Sequence, residues 1–139
     1  MTISRRQTFI MALGASVAAA LPFRAFATAT EDSIAAFTGG AEMGTGGLTL
    51  TAPEIAENGN TVPVSVDAPG AVSILLMATG NPTPDAAIFN FGPLAASQMA
   101  STRIRLAKTQ EVMAIAKMAD GSFVQAVQEI KVTIGGCGG

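Results

Sequence analysis

The chain closes on Glu129-Ile130-Lys131-Val132-Thr133-Ile134-Gly135-Gly136-Cys137-Gly138-Gly139. Its first six residues alternate strictly. Ile130, Val132 and Ile134 fall on one side and Glu129, Lys131 and Thr133 on the other, which is the period-two pattern of a strand with one face buried. The pattern stops at Gly135, where four glycines surround the only cysteine of the chain. Glycine lacks a Cβ and lets the backbone swing or lie close against another surface, and thiolate is a soft nucleophile. The stretch therefore reads as a sheet strand that ends in a mobile thiol.

Working outward from this strand, residues 111–118 pair with residues 122–134 as a hairpin about Asp120-Gly121. Thr102-Arg103-Ile104-Arg105-Leu106 alternates again, with both arginines on the wet face. Ile88, Phe89 and Phe91 mark a strand ended by Gly92-Pro93, and residues 93–101 form a connection with room for a helical turn. Residues 71–78 are an apolar run interrupted only by Ser73, short enough for a strand buried on both faces. Val62, Val64 and Val66 share one side of a strand that Pro63 marks as an edge or irregular strand, since proline cannot donate to a ladder. Asn58-Gly59 gives residues 52–60 a strong turn signal, Gly80-Asn81-Pro82-Thr83-Pro84 is loop, and Leu48-Thr49-Leu50-Thr51 alternates as a half-buried strand. Residues 30–38 predict a short helix capped by Thr30 or Asp32, with Ile34 and Phe37 on one face and Gly39-Gly40 as the stop; it packs as a flap. About seven short strands with regular turn signals predict an all-β fold, an immunoglobulin-like antiparallel β-sandwich over residues 28–134. It carries a short N-terminal helix and, over residues 135–139, a flexible C-terminal glycine arm.

Residues 1–27 are excluded from that fold because they read as an export signal. Arg5-Arg6 supply the charged region, residues 10–21 the apolar one and Ala25-Phe26-Ala27 the small-x-small cleavage site. The run Ser4-Arg5-Arg6-Gln7-Thr8-Phe9-Ile10 is similar to a twin-arginine signal, although Thr8 delays the bulky apolar pair by one position. Cleavage removes three of the eight basic residues, which leaves five against ten acidic ones and a formal net charge of −5. A chain of that balance lacks the basic patch that holds nucleic acid and does not dwell on anionic lipid, so its partners are proteins. No histidine, tyrosine or tryptophan occurs. That excludes Ser-His-Asp and Cys-His catalysis and leaves no Cys/His cluster for zinc. One exported cysteine cannot form an internal disulfide, so the thiol is intermolecular or reactive. The methionines at Met77, Met113 and Met118 read as core filler, and Glu54 and Glu57 as a solvated loop.

Nothing near Cys137 in sequence activates it. The carboxylate of Gly139 disfavours a second anion, and the closest cation, Lys131, lies six residues back. An unperturbed thiol titrates near about 8.5, so activation must come from whatever receives it. From Ile134 to Cys137 an extended chain spans about 10 Å, at roughly 3.4 Å per residue, enough to enter a narrow channel while the sandwich stays outside.

The terminal run from Lys131 to Gly139 resembles the end of the SoxY family, the sulfur-carrier subunit of the periplasmic Sox thiosulfate-oxidising system. Pro53-Glu54-Ile55-Ala56-Glu57-Asn58-Gly59 with Val62-Pro63-Val64, and Arg103-Ile104-Arg105-Leu106-Ala107, are similar to it as well. The resemblance implies a non-enzymatic periplasmic carrier that pairs with a SoxZ-type subunit. It implies a covalent sulfur or thiosulfate adduct on Cys137 and no prosthetic group. Gly135, Gly136, Gly138 and Gly139 would form the swinging arm. A c-type haem sulfur-conjugating enzyme, a sulfate-releasing hydrolase and a sulfane dehydrogenase would act on the adduct. Two other readings stay open. Gly138-Gly139 satisfies the minimal motif of a ubiquitin-like sulfur carrier, whose terminal glycine becomes a thiocarboxylate, and Cys137 could tie an exported structural module into an intermolecular disulfide.

Overall fold

The computed structural model describes residues 24–134, with side chains from residue 28 onward; residues 1–23 and the expected arm, residues 135–139, lie outside the described residues. One helix, α1 (Arg24–Thr38), precedes nine strands: β1 (Met43–Gly44), β2 (Thr49–Thr51), β3 (Ile55–Ala56), β4 (Val62–Asp67), β5 (Ala71–Ala78), β6 (Asp85–Asn90), β7 (Met99–Ile104), β8 (Gln110–Met118) and β9 (Phe123–Val132). They build two sheets. The larger runs β1-β9-β8-β5-β6, with β3 also paired to β9, and the smaller runs β2-β4-β7. The fold is thus the expected immunoglobulin-like β-sandwich with one N-terminal helix.

Alternating strands bury the faces that their patterns assign. Val62, Val64 and Val66 of β4, Val112, Ala114 and Ala116 of β8 and Ile130 of β9 meet between the sheets with Ile74, Leu76 and Ala78 of β5. β5 lies between β8 and β6 and is buried on its second face too, because Leu75 and Met77 pack with Ile115 and Phe123 under Ile34 and Phe37 of α1. Phe37 meets Phe123 edge-on, ring centroids 5.9 Å apart, a preferred aromatic geometry. The flap is therefore a lid on a second apolar cluster, to which Met77 and Met113 contribute filler, while Met118 packs between the sheets.

Three local expectations change. The helix begins at Arg24 rather than Thr30, since the alanine-rich sequence upstream favours helix without a cap at Thr30 or Asp32; it spans the expected cleavage site. Gly39, at φ 67°, stops it as expected and donates its N–H to Ala35 O. Pro63 lies in the middle strand of the small sheet, but β2 reaches only Ser65, Val66 and Asp67, so at Pro63 the strand has a neighbour on the β7 side alone. The edge that proline demands is local. Finally, β3 forms inside the expected 52–60 loop and pairs parallel with β9, Ile55 with Lys131 and Ala56 with Val132.

The β8–β9 hairpin turns at Asp120-Gly121 as read, with Gly121 at φ 87°. Asp120 Oδ1 accepts hydrogen bonds from the Ser122 hydroxyl at 2.6 Å and the Ser122 N–H at 2.9 Å. The hydroxyl bond, then the backbone bond, hold its carboxyl below the ordinary 3.8. A lowered folded value stabilises the turn fully above the unfolded value and loses that contribution as pH falls through the folded one. Asp120→Asn keeps the acceptor and removes the charge. The expected result is a small gap in Tm between wild type and variant at neutral pH that narrows once pH falls below the ordinary 3.8 and closes as it passes the lowered folded value, read by thermal melts across the acid range.

At the end of the sandwich where β9 finishes, a polar network centred on Gln110, the first residue of β8, ties two loops together. Gln110 Oε1 accepts from Gly80 N–H at 2.9 Å, and Gln110 Nε2 donates to Asn81 Oδ1 at 2.8 Å and to Lys108 O at 3.0 Å. Asn81 in turn donates to Arg105 O and accepts from Ala107 N–H. A Cβ on Gly80 would stand 2.8 Å from Gln110 Cβ. Gly80→Ala should therefore displace Gln110 and cost about 1–3 kcal/mol, combining overpacking with lost hydrogen bonds. Urea unfolding measures it, and an unchanged midpoint would contradict the network.

Candidate functional site

The expected site residues Gly135, Gly136, Cys137, Gly138 and Gly139 lie outside the described residues. What the structure defines is the ground from which they leave, and that ground is held closely. Lys131 N–H donates to Glu54 O at 2.9 Å and Thr133 N–H to Ala56 O at 3.1 Å, which continues the parallel β3 pairing past the end of β9. Val132 N–H donates to Thr109 Oγ1 at 2.9 Å from the opposite side. Last, Gly59 N–H donates to Ile134 O at 2.8 Å, while Gly59 O accepts from Leu106 N–H at 2.7 Å. Every residue from Lys131 to Ile134 is thus tied by its backbone to residues 54–59 or to Thr109.

Ile134 departs from the sequence reading. Ile130 is fully buried and Val132 half-buried, but Ile134 is 67 % exposed. β9 ends at Val132 and its pairing with β8 at Ile130, so Ile134 lies past the paired part of the strand. Its carbonyl is held while its side chain meets solvent. The last attachment among the described residues is therefore the Ile134 carbonyl, and Cys137 lies three residues further along the sequence.

Two open grooves flank β3. One, of about 600 Å³, runs along β9 between Leu50 to Ile55 and Gln128, Glu129 and Lys131. The other, of about 450 Å³, lies between Pro53 to Asn58 and Val62-Pro63. Among the described residues no group of three or more histidine, cysteine, aspartate or glutamate side chains could hold a metal ion, and no helix is long and apolar enough to cross a membrane. Lys131 is exposed on the outer face of the large sheet.

The charged side chains along this root are Glu54, Glu57 and Lys131, and among the described residues they form no metal-binding group. The sequence singled out Pro53 to Gly59 but read it as a loop, so the parallel clamp and the roles of Gly59, Leu106 and Thr109 went unseen. The available signal was Asn58-Gly59, which marks a turn without saying which strand it serves.

The model of the family described as sulfur oxidation protein SoxY matches residues 34–137, a span that includes Cys137. The chain belongs to the SoxY family. Among solved structures, the sulfur carrier protein SoxY from Chlorobium limicola f thiosulfatophilum is 37% identical, over 78% of this chain and 99% of that one, with a TM-score of 0.67. A superoxide reductase (neelaredoxin) from Ignicoccus hospitalis is 25% identical over 66% of this chain and 82% of its own, with a TM-score of 0.55. A hypothetical protein from Pyrococcus horikoshii OT3, 13% identical over 64% and 96% with a TM-score of 0.52, shares the fold alone. No curated protein matches. The three stretches that carried the resemblance meet in the fold: the first begins with the last two residues of β9, the second holds its parallel clamp, and the third joins the end of β7 to Leu106, which fastens that clamp.

Proposed function

We propose that the chain is a periplasmic sulfur carrier that holds thiosulfate-derived intermediates covalently on Cys137 and presents them to the enzymes of thiosulfate oxidation. The observation that carries this reading is the SoxY-family match, which extends through residue 137 and so includes the only thiol of the chain. Loading forms a sulfur–sulfur bond between Cys137 Sγ and the outer sulfur of thiosulfate. The thiol releases one proton, and two electrons pass to a c-type haem enzyme. Hydrolysis then breaks the bond to the sulfone sulfur, releases sulfate and leaves a persulfide on Cys137. A sulfane dehydrogenase oxidises the remaining sulfur.

The carrier's own part is mechanical and steric. Gly135, Gly136, Gly138 and Gly139 place no side chain next to the thiol that would obstruct a narrow channel. The clamp on residues 131–134 fixes where the arm starts. The catalytic groups belong to the partners, and with no histidine the chain cannot supply imidazole acid–base chemistry. A SoxZ-type subunit completes the carrier, which binds neither nucleic acid nor membrane.

Mass spectrometry of the mature protein after incubation with thiosulfate and the oxidising enzymes tests the reading. Thiol-sensitive sulfur adducts that map to Cys137 support it; an unmodified chain or a disulfide dimer alone would sink it. The partner is tested separately, by sedimentation with and without the SoxZ-type subunit. The expected result is a hetero-oligomer, and a chain that stays monomeric beside that subunit removes the pairing from the proposal.

A further inference from the structure

Asn58-Gly59 is a turn motif that the carrier chemistry does not use, and Gly59 is bonded to Ile134 at the root of the arm. Asn58 is exposed, and its Oδ1 accepts a hydrogen bond from Asn60 N–H at 3.0 Å. A donor on that oxygen polarises the side-chain carbonyl and stabilises negative charge developing there. The next atom along the backbone, Gly59 N, is the natural nucleophile for that carbonyl, since glycine offers no side chain to hinder ring closure. In the fold, however, Gly59 N–H is committed to Ile134 O at 2.8 Å, and Gly59 O is held by Leu106 N–H at 2.7 Å. The electrophile is primed and the nucleophile is tethered to the last described residue before the arm.

We propose that Asn58 is a deamidation site gated by the attachment of the arm. When the Gly59–Ile134 bond opens, a solvent base removes the Gly59 amide proton and the nitrogen attacks Asn58 Cγ. A carbon–nitrogen bond forms, the Cγ–Nδ2 bond breaks, and Nδ2 leaves as ammonia with the proton returned. Water then opens the cyclic imide at either carbonyl and gives aspartate or isoaspartate at position 58. No electrons are exchanged. The product adds a negative charge beside the arm root, and the isoaspartate form inserts an extra backbone atom directly before Gly59, which moves the N–H that held Ile134. The modification therefore records, irreversibly, that the arm root has come loose, and it hinders reattachment. The inference stands on the hydrogen bonds alone and is independent of the sulfur-carrier reading.

The test follows Asn58 conversion by peptide mapping and isoaspartate detection during incubation at mildly alkaline pH. Four samples are compared: the intact mature chain, the same chain in urea, a chain ended at Ile134 and a chain ended at Thr133. Ending at Ile134 keeps an oxygen that can accept from Gly59, whereas ending at Thr133 removes it. The expected result is slow conversion in the intact chain and in the chain ended at Ile134. The chain ended at Thr133 should convert roughly three- to tenfold faster, the range set by one net hydrogen bond, and the urea sample fastest of all. Equal rates in the intact and urea-unfolded chains overturn the proposal whether or not the shortest chain folds. Equal rates in the two truncated chains, both folded by circular dichroism, overturn the role of Ile134.

Discussion

Cys137→Ser should abolish sulfur loading completely while leaving the melting temperature of the sandwich unchanged. Serine keeps the size and presents oxygen in place of sulfur, so no sulfur–sulfur bond to thiosulfate can form. Among the described residues, the last one packed against the core is Val132, five positions before Cys137. Mass spectrometry after incubation with the oxidising enzymes should find no adduct on the variant and a full complement on wild type. Deleting Gly139 should leave loading in place. The opposite pair of results, loading retained in Cys137→Ser and lost without Gly139, would assign the chemistry to the terminal carboxylate as in a ubiquitin-like carrier. Disulfide dimers as the only modified species would instead mark Cys137 as a structural cross-link.

Ile130→Ala should be the most damaging single truncation in the final strand. Ile130 is fully buried between the sheets and pairs with Gln110, the hub of the loop network at the same end. Truncations of this kind cost about 2–5 kcal/mol, through lost transfer energy and the cavity left behind. Urea unfolding reads the loss directly. Val127→Ala, three residues earlier on the outer face and 46 % exposed, should cost less than about 1 kcal/mol. Comparable losses at both positions would mean that burial does not rank the strand's contributions. Because Ile130 immediately precedes the residues tied to 54–59, hydrogen exchange at Lys131 and Thr133 should also quicken in Ile130→Ala, more than at the far end of β9.

Residues whose partners are set by local periodicity were legible in the sequence. Val62, Val64 and Val66 announce their buried face by alternation, Asp120-Gly121 announces its hairpin, and the two-sided burial of β5 follows from the apolar run Ile74 to Ala78. What covers the outer face of β5 was legible only in outline, since Ile34 and Phe37 mark a helix face without naming the cluster beneath it. The β3–β9 pairing was not legible at all. Two residues, Ile55 and Ala56, are too few to show a period, and their partners lie some 75 positions away, so only tertiary structure brings them together. Pro63 shows the same limit. The rule against proline donating held at the residue, but the strand containing it is central because β2 covers a different part of β4. The candidate site divides along that line: the thiol and its glycines are plain in the sequence, and the clamp beneath them is not.

β9 is an interior strand, flanked along its length by β8 and at its two ends by β1 and β3. A pull on Ile134 directed along the axis of β9 loads these pairings in shear. Their cross-strand hydrogen bonds then share the load side by side instead of yielding one after another from an end. An edge strand would set one row of such bonds against the same pull, whereas the last residues of β9 are fastened from both sides.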